Sequence, residues 1–505
     1  MHLKKTYKSI FLIIICLSLA VSCFAFSGVT AYADEEKTVQ SEWEMTVPQI
    51  RVTTEEGNGT TLQKEDGYQN AQITITDVDG SALSDSCLFK VRGNTTALSW
   101  ITKKPYTFKF EKKKDVLGLG KGKKWALIAN AFDPTLLRNI TAFELAKELG
   151  LEYTSNYKVV ELWVDDSFRG CYVLFEPVQE GKDRVNIDIE GNDGKKDFLI
   201  EYEKMREEDD VTYFKAGGLR FIASEPDEPT DEQLEYITST MQDIYNTLRT
   251  GNREKTEEKI DVDSFAKFFL LNEYLKTFDF DMSSVFFYYK DGKLYAGPPW
   301  DYDLSLGNGN PDYSARGAAT HNPEGVFANK NLFYYLARQS WFIDEVTKVY
   351  REHYDYFANI GADGGFLNTQ LEKYSDVFAR NFNEAGWKPN RYWINIMCKP
   401  KLTYDENYSV LKEWCAARND WMTEYYQPFA DEFIIGDADG DGRVSINDVT
   451  LMQRIIAEKH TEDVEAIIKR ADVDGNGLSI DDVTLVQRYL AEYEDSYHIG
   501  EKTKK

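Results

Sequence analysis

The alternation of apolar and polar residues predicts strands over most of residues 44–130. Every second residue is apolar in 72–76 and in 106–110, and 125–128 is a short apolar run with the length of a buried strand. Two further runs of this character, 159–164 and 171–175, are separated by a short polar turn and predict a hairpin. The first part of the folded chain is therefore expected to be rich in strands.

Helical periodicity occurs at 136–149 and prevails from residue 231 onward. Asp133 precedes the first helix as a candidate N-cap, and Gly150 marks its end. One strand pair, 284–289 with 293–296, interrupts the later helices. Those helices are predicted at 231–250, 264–277, 332–356 and 408–426. The prediction is an α+β chain with a strand-rich N-lobe and a helical C-lobe, because about 390 residues without a linker usually form two lobes.

The C-terminal end of the chain contains one pattern twice. Residues 436–442 read Gly-Asp-Ala-Asp-Gly-Asp-Gly, and residues 471–477 read Ala-Asp-Val-Asp-Gly-Asn-Gly. An amphipathic helix that opens with an acid follows each copy, at 448–454 and 482–488. Oxygen ligands two residues apart, a turn at glycine and a closing acid suit Ca²⁺, which takes about six to eight oxygen ligands. A solvated acidic tail would not repeat both the spacing and the helix.

The two acidic loops differ in length. Asp437 and Asp448 are eleven residues apart, which places the closing acid at the twelfth loop position, whereas Asp472 and Asp482 are only ten apart. We expect an ordinary first calcium site and a distorted or weaker second one. The predicted ligands are Asp437, Asp439, Asp441, the Arg443 carbonyl and Asp448 in the first loop, and Asp472, Asp474, Asn476 and Asp482 in the second.

Residues 1–33 have the pattern of a secretory signal peptide. Lys4, Lys5 and Lys8 precede an apolar run at 10–26, and Ala31-Tyr32-Ala33 offers a small-x-small cleavage site. The apolar run is nearly long enough to span a bilayer, so an uncleaved membrane anchor is the alternative. Cleavage predicts a secreted, extracellular chain with no membrane span in its mature part.

The strong negative charge argues against nucleic acid as a partner. The formal net charge is -26, and removal of residues 1–33 takes away three lysines and no acid, which gives -29. A surface of this charge repels phosphate backbones.

Cysteine and histidine usage favours neither a disulfide scaffold nor a zinc site. The cysteines after the signal are Cys87, Cys171, Cys398 and Cys415, and isolated buried thiols are favoured over a Cys398–Cys415 bridge. The histidines after the signal are His321, His353, His460 and His498, and no two have a metal-ligand spacing. A Ser-His-Asp triad has equally little support.

The tandem loop–helix units resemble the type I dockerin module, with a domain expected at 433–497. This resemblance implies bound calcium, a cohesin of a scaffoldin as the partner, and a place on a cellulosome-type complex outside the cell.

Three central stretches carry a second resemblance: Arg92-Gly-Asn-Thr-Thr; Lys-Lys-Pro-Tyr-Thr-Phe-Lys at 103–109 with Thr-Leu-Leu-Arg-Asn at 135–139; and Gly-Pro-Pro-Trp-Asp-Tyr-Asp-Leu-Ser-Leu-Gly-Asn at 297–308. They resemble the spore-coat CotH kinase-like family from Val47 to Tyr426, with a domain expected at 44–430. The resemblance implies a two-lobed, atypical protein-kinase-like fold. It also implies ATP with magnesium or manganese, and a protein substrate that the sequence leaves unknown.

The resemblance assigns catalytic roles to three acids. Phosphoryl transfer needs a divalent metal and a carboxylate near the attacking hydroxyl. Asp301 corresponds to the metal-binding acid of kinases, and Asp279 corresponds to the acid of the catalytic loop. Asp303 would share the metal if its segment were extended, because side chains two residues apart in a strand face the same way. Ser284 stands where kinases carry a metal-binding Asn, and its hydroxyl is a weaker ligand.

The nucleotide-binding candidates lie in the strand-rich part. Lys109, at the end of an alternating strand, resembles the lysine that holds the phosphates of the nucleotide, with Glu144 as its ion-pair partner. Both are also ordinary surface charges. Arg92 and Arg138 belong to the motifs above, and either phosphate binding or clamping of the lobes fits them. Glu176 stands where a hinge between the lobes would lie.

Three functions are open at this point. The first is a secreted, Mg-ATP-dependent protein kinase-like enzyme that acts on Ser or Thr of a protein partner. The second is a polysaccharide-active glycoside hydrolase, because dockerins usually carry such enzymes and 300–303 supplies paired carboxylates beside tryptophan. The third is a pseudokinase that serves as a structural or binding module, which Ser284 favours and the intact Asp279, Asp301 and Asp303 disfavour.

Overall fold

The computed structural model describes most of the chain after the predicted signal peptide. The predicted signal peptide and His460 lie outside the described residues. From Thr46 onward the chain forms one unit. The described residues are 43–190, 196–208, 211–387, 397–428, 433–459, 463–493 and 496–502.

Seven strands close into a barrel in the N-terminal part. The strand order is β1-β2-β3-β4-β5-β7-β6, and a parallel pairing of β6 with β1 closes the ring. The predicted strands 72–76, 106–110 and 125–128 lie within β2, β4 and β5, and the predicted hairpin is β6–β7. The barrel strands are β1 Gln49–Thr54, β2 Gln69–Thr76, β3 Ala82–Val91, β4 Tyr106–Asp115, β5 Lys121–Ile128, β6 Tyr157–Val164 and β7 Ser167–Phe175.

The first helix of the protein contacts both the barrel and the C-terminal part. Helix α1, Arg138–Glu148, is buried over most of its length because protein surrounds it on several sides. Its Phe143 ring lies 4.4 Å from the Phe175 ring of β7 and 6.2 Å from the Tyr302 ring. The predicted start at 136 shifts to 138, because Leu136 has a left-handed backbone (φ 62°).

A second, antiparallel sheet of five strands begins the C-terminal part. Its order is β12-β11-β8-β10-β9, so the predicted strand pair β11–β12 is one edge of a larger sheet. The pattern did not predict β8, because all five of its residues are buried and it shows no alternation. The strands are β8 Phe198–Tyr202, β9 Tyr213–Ala216, β10 Leu219–Glu225, β11 Val285–Lys290 and β12 Lys293–Ala296.

Helices pack around this sheet and form the larger core. Helix α4 lies near its centre, with Phe265, Phe269 and Leu271 fully buried. No helix among the described residues is long and apolar enough to cross a membrane. The helices are α2 Asp231–Thr250, α3 Arg253–Lys259, α4 Val262–Leu275, α5 Ala315–His321, α6 Phe333–Leu336, α7 Ser340–Glu352, α8 Tyr354–Ile360, α9 Phe366–Asn383 and α10 Tyr404–Tyr426.

The single helix predicted at 332–356 was wrong, because the chain breaks twice there. Gln339 has an extended backbone (φ -99°, ψ 123°) between α6 and α7, and His353 leaves helical geometry (φ -112°, ψ 12°) before α8. Phe333, Phe342, Val349 and Phe357 of these pieces are all buried. A continuous apolar pattern therefore does not reveal the breaks.

Three short helices form the C-terminal module. They are α11 Ile446–Ile456, α12 Val464–Ala471 and α13 Ile480–Leu490, around a small core of their own that includes Val449, Met452, Val483 and Val486.

The preference for thiols over a disulfide is confirmed. Each of the four cysteines that the structure describes is a buried thiol, and Cys398 and Cys415 belong to different hydrophobic clusters.

Candidate active site

A cleft of about 930 Å³ is lined by residues of both the barrel and the C-terminal sheet. The barrel contributes Arg92, Thr107 and Lys124 to its lining. The C-terminal part contributes several acids and Arg316. Five candidates from distant parts of the sequence thus line one cleft: Arg92, Asp279, Ser284, Asp301 and Asp303.

Two backbone hydrogen bonds bring the acidic segments together. Asp279 lies in a 3₁₀ turn, Phe278–Asp281, directly after α4. The Phe278 amide donates to the Leu304 carbonyl (2.8 Å), and the Leu306 amide donates to the Leu275 carbonyl (2.8 Å). The end of α4 therefore runs beside residues 304–306, and Asp279 shares the cleft with Asp303.

The segment from Asp301 to Leu306 is a series of turns, so the condition that it be extended is not met. Asp301 and Leu306 have left-handed backbones (φ 66° and 47°), and so does Ser284 (φ 61°). Such conformations cost energy in residues other than glycine and persist where the surrounding contacts hold them. Asp301 and Asp303 reach the cleft through this turn rather than through strand alternation.

Arg138 and Asn139 hold the turn in place. The Arg138 guanidinium pairs with Asp133 (Nη1–Oδ1 2.6 Å) and donates from Nε to the Ser305 carbonyl (3.0 Å). The Tyr302 amide donates to Asn139 Oδ1 (2.9 Å). Arg138 and Asp133 are buried (3% and 0% exposed). Of the two roles considered for Arg138, these contacts favour clamping over phosphate binding.

The sequence reasoning missed Asn139 and Asn308, although both lie in the motifs quoted above. Asn308 donates from Nδ2 to the Phe132 and Asp303 carbonyls (2.8 and 2.7 Å). The sequence signal for these two residues was an asparagine within a polar motif, because its side-chain amide can hydrogen-bond to a second segment of the chain.

Arg92 offers a cation to the cleft. Its guanidinium lies over the Trp300 ring, 5.2 Å from the centroid, and its backbone amide donates to the Pro105 carbonyl (3.0 Å). The buried Nη1 has no hydrogen-bond acceptor among the described residues. Burial lowers the pKa of Arg92, while the nearby Asp301 carboxylate opposes that shift. This buried N–H donor lies near the acids and has no acceptor among the described residues, so it is suited to bind an anionic ligand.

Burial raises the pKa of all three acids of the cleft, and neighbouring acids add to the shift at Asp279 and Asp303. Burial, and then the Asp301 charge, raise the pKa of Asp279 to about 7. Burial together with Asp301 and Asp279 holds the pKa of Asp303 well above its ordinary value. Asp301 is exposed, yet the protein around its carboxylate desolvates it and raises its pKa, against the effects of Arg92 and the Ser284 hydroxyl. Clustered carboxylates of this kind are stabilised by a proton or a metal cation.

Glu201 of β8 and Glu203, directly after that strand, support the same wall of the cleft. Glu201 accepts the Ser284 amide (3.1 Å) and pairs with Arg206 (3.3 Å), and Glu203 accepts the Arg206 amide (2.7 Å). Burial raises the pKa of Glu201 to about 7, although Arg206 opposes the shift. The sequence analysis missed both glutamates because it did not predict β8.

The expected Lys109–Glu144 pair does not form. Lys109 is exposed and lines a separate groove on the outside of the barrel. Glu144, on α1, pairs with Lys147 (3.3 Å). Lys124, the cross-strand partner of Lys109, lines the cleft instead. Strand alternation alone does not say which of two neighbouring lysines faces a cleft.

Glu176 follows β7 directly, and the next two residues, Pro177 and Val178, line the cleft. Its carboxylate lies 3.8 Å from Arg184 Nε and accepts the Asn156 amide (3.4 Å). Burial raises its pKa to about 7, although Arg184 opposes the shift.

The two C-terminal loops share one hydrogen-bond frame. The first acid accepts two glycine amides in each loop: Asp437 from Gly440 and Gly442, and Asp472 from Gly475 and Gly477, all at 2.9 Å. The closing acid accepts a serine amide in each, Asp448 from Ser445 (2.7 Å) and Asp482 from Ser479 (2.8 Å). These hydrogen bonds are the same in both loops up to the second glycine and again from the serine. The second loop is therefore one residue shorter between its second glycine and its serine.

The carboxylates of each loop lie close enough to share an ion. Ligand atoms of Asp437, Asp439 and Asp441 lie within 4.8 Å of one another, and so do those of Asp472, Asp474 and Asp482. The donors are all oxygen, which fits calcium. The Arg443 carbonyl and Asn476 stand at the expected loop positions.

Comparison with known protein families gives two matches. The CotH kinase protein family matches residues 89–422, and the type I dockerin domain matches residues 435–491. A search of curated proteins found no match. Together the two domains support a component of cellulosome type. Because the first match covers more than half of the chain, the protein belongs to the CotH kinase protein family and carries a C-terminal type I dockerin domain.

Proposed function

We propose that the cleft transfers the terminal phosphoryl group of ATP to a Ser or Thr hydroxyl of a protein partner. The observation that carries this proposal is the convergence of Asp279, Asp301 and Asp303 with Arg92 and Ser284 in one cleft. Phosphoryl transfer depends mainly on positioning and on charge stabilisation, and this set supplies both.

Asp301 and Asp303 would hold a divalent metal, with the Ser284 hydroxyl as a further ligand. The fit rests on two observations: every donor is an oxygen, and both carboxylates have a raised pKa, through burial at Asp301 and through burial and the neighbouring acids at Asp303. Magnesium or manganese, when bound, supplies charge neutralisation on the phosphates.

Asp279 is the candidate general base. Its carboxylate would accept the proton of the attacking hydroxyl while the new O–P bond forms and the bond from phosphorus to the nucleoside diphosphate breaks. A pKa of about 7 suits a base that works near neutral pH. Arg92, with its buried Nη1, and Lys124 would bind phosphate oxygens.

The dockerin domain would place this activity on a complex outside the cell. We propose that both loops bind calcium, the first more tightly, and that the module docks to a cohesin. The predicted signal peptide is consistent with export.

The test incubates the purified chain with labelled ATP, magnesium or manganese, and a panel of co-secreted proteins. We expect label transfer that Asp301→Asn abolishes. The matched control is Asp291→Asn, in the exposed turn between β11 and β12, and it should leave transfer unchanged. The proposal fails if there is neither transfer nor a nucleotide-induced rise in melting temperature.

A non-catalytic binding module is the second candidate. Ser284 is a weak metal ligand, and Lys109 lies outside the cleft lining. A rise in melting temperature with ATP but no label transfer would favour this function. Release of reducing sugars from plant cell-wall polysaccharide would instead favour a hydrolase.

A further inference from the structure

The β4–β5 hairpin is basic in an otherwise acidic protein. Residues 109–124 contain seven lysines and two acidic residues, a net charge of +5, whereas the whole chain carries -26. Lys114 pairs with Asp85 (2.5 Å), and among the described residues it is the only lysine of this hairpin in an ion pair. The exposed lysines are Lys109, Lys112, Lys113, Lys121, Lys123 and Lys124.

A groove of about 730 Å³ borders this hairpin on the outer surface of the barrel. It crosses β1 to β5, with Asn70 opposite Leu88 and Leu88 opposite Lys109 on adjacent strands. Four steps of about 4.8 Å between neighbouring strands give a length of about 19 Å. The groove is thus long enough for a short linear polymer.

The lining of the groove favours a hydroxyl-rich ligand over a protein. Thr53, Asn70, Gln72 and Ser86 supply hydroxyl and amide groups, and Leu88 (37% exposed) is the one large apolar side chain exposed there among the described lining residues. Protein interfaces are usually built around an apolar core. Among its described lining residues, this groove offers such a partner a single exposed large apolar side chain.

The lysines of the adjoining hairpin, rather than the lining of the groove, favour an anionic ligand. Lys109 and Lys123 line the groove together with Glu55 and Glu111, so the lining itself is balanced. Glu55 accepts the side-chain amide of Asn70 (2.9 Å). The positive excess comes from the other lysines of the adjoining hairpin.

We infer that this groove binds a linear acidic polysaccharide of the uronic-acid class. Its hydroxyls would bind to Asn70 and Gln72, and its carboxylates would lie over the hairpin lysines. The groove is lined separately from the cleft, and this inference does not rest on the proposed phosphoryl transfer.

Affinity electrophoresis of the full chain tests the inference, with polygalacturonate in one gel and a neutral galactan in another. The net charge of the chain opposes binding to any polyanion, so retardation reports a local site. We expect retardation by polygalacturonate alone, and we expect salt to weaken it. No retardation at low salt, or equal retardation by the galactan, would overturn the inference.

Lysine variants locate the site. Substitution of four hairpin lysines by glutamine should weaken binding about tenfold, because each exposed ion pair contributes a factor of about five or less. A matched control replaces four exposed lysines elsewhere and should bind like the parent chain. Equal weakening in both variants would contradict a local site. The hairpin set is Lys109, Lys112, Lys113 and Lys123; the control set is Lys215, Lys255, Lys373 and Lys401.

Two neutral substitutions separate groove binding from diffuse attraction. Gln72→Ala should weaken polygalacturonate binding about threefold or more through a lost hydrogen bond. Thr74→Ala, two residues along the same strand and outside the groove lining, should leave binding unchanged. The inference fails if Gln72→Ala binds like the parent chain. It also fails if the hairpin instead mediates salt-dependent self-association, seen by sedimentation and lost in the hairpin variant.

Discussion

The cleft and the two C-terminal loops both cluster aspartates, but they assemble them differently. In the loops, each acid accepts amides from residues of its own loop, as Asp437 does from Gly440 and Gly442. In the cleft, Asp279 and Asp303 meet because two backbone hydrogen bonds join separate segments, and their pKa values are raised. A local cluster should tolerate changes elsewhere in the fold, whereas a cluster assembled by tertiary contacts should not.

The largest expected effect is that of Asp279→Asn, which removes the proposed base. Label transfer from ATP should fall by about a thousandfold or more, because the amide cannot accept the hydroxyl proton. The control, Asp281→Asn, changes the neighbouring acid of the same turn and should retain most activity. Calcium binding, measured by titration calorimetry, should be unchanged in both. Equal loss of transfer in the two variants would contradict the assignment.

The second-largest expected effect is that of Arg138→Ala, which removes the guanidinium that contacts Asp133 and the Ser305 carbonyl. It leaves Asp133 buried without its cation, which should cost about 3–5 kcal/mol of unfolding free energy. Denaturant unfolding measures this loss, and the exposed Arg249→Ala is the control. A loss below about 1 kcal/mol would mean that the pair contributes little to the fold.

Calcium titration of the full chain sharpens the comparison between the two loops. We expect two unequal binding steps, with the ordinary-length first loop the tighter. Asp448→Ala should weaken the tight step, and Asp482→Ala the weak step, each by roughly a hundredfold. Two equal, tight steps in the parent chain would show that the shorter loop costs no affinity.

The smallest expected effect concerns Glu176. Its pKa is raised to about 7, so the folded state binds more protons than the unfolded state between about pH 4.5 and 7. This contribution to stability is complete below about pH 4.5 and is lost as the pH rises through 7. Relative to Glu176→Gln, the parent chain should therefore lose about 1–2 kcal/mol of unfolding free energy between pH 5 and 8. If the unfolding free energies of the parent chain and of Glu176→Gln changed equally between pH 5 and 8, the raised pKa of Glu176 would be contradicted.

The barrel strands were predictable where one face is buried. In β4, Phe108 and Phe110 are buried and Lys109 between them is exposed, so apolar and polar residues alternate along the strand. Strand β8, buried throughout, has no such signal, and the sequence analysis therefore missed Glu201 and Glu203. The helix breaks at Gln339 and His353 were missed for a related reason, because the apolar pattern continues across them.

The sequence alone was enough to predict the acid spacing and the unequal lengths of the C-terminal loops, because a loop of this kind is built from consecutive residues. It also indicated the family, since the motifs are contiguous. Three features could not be predicted from local patterns: Lys124 rather than Lys109 lines the cleft, Asp133 and Ser305 hold Arg138, and Asp301 lies in a turn. These outcomes depend on contacts between residues far apart in the chain, and local patterns do not encode such contacts.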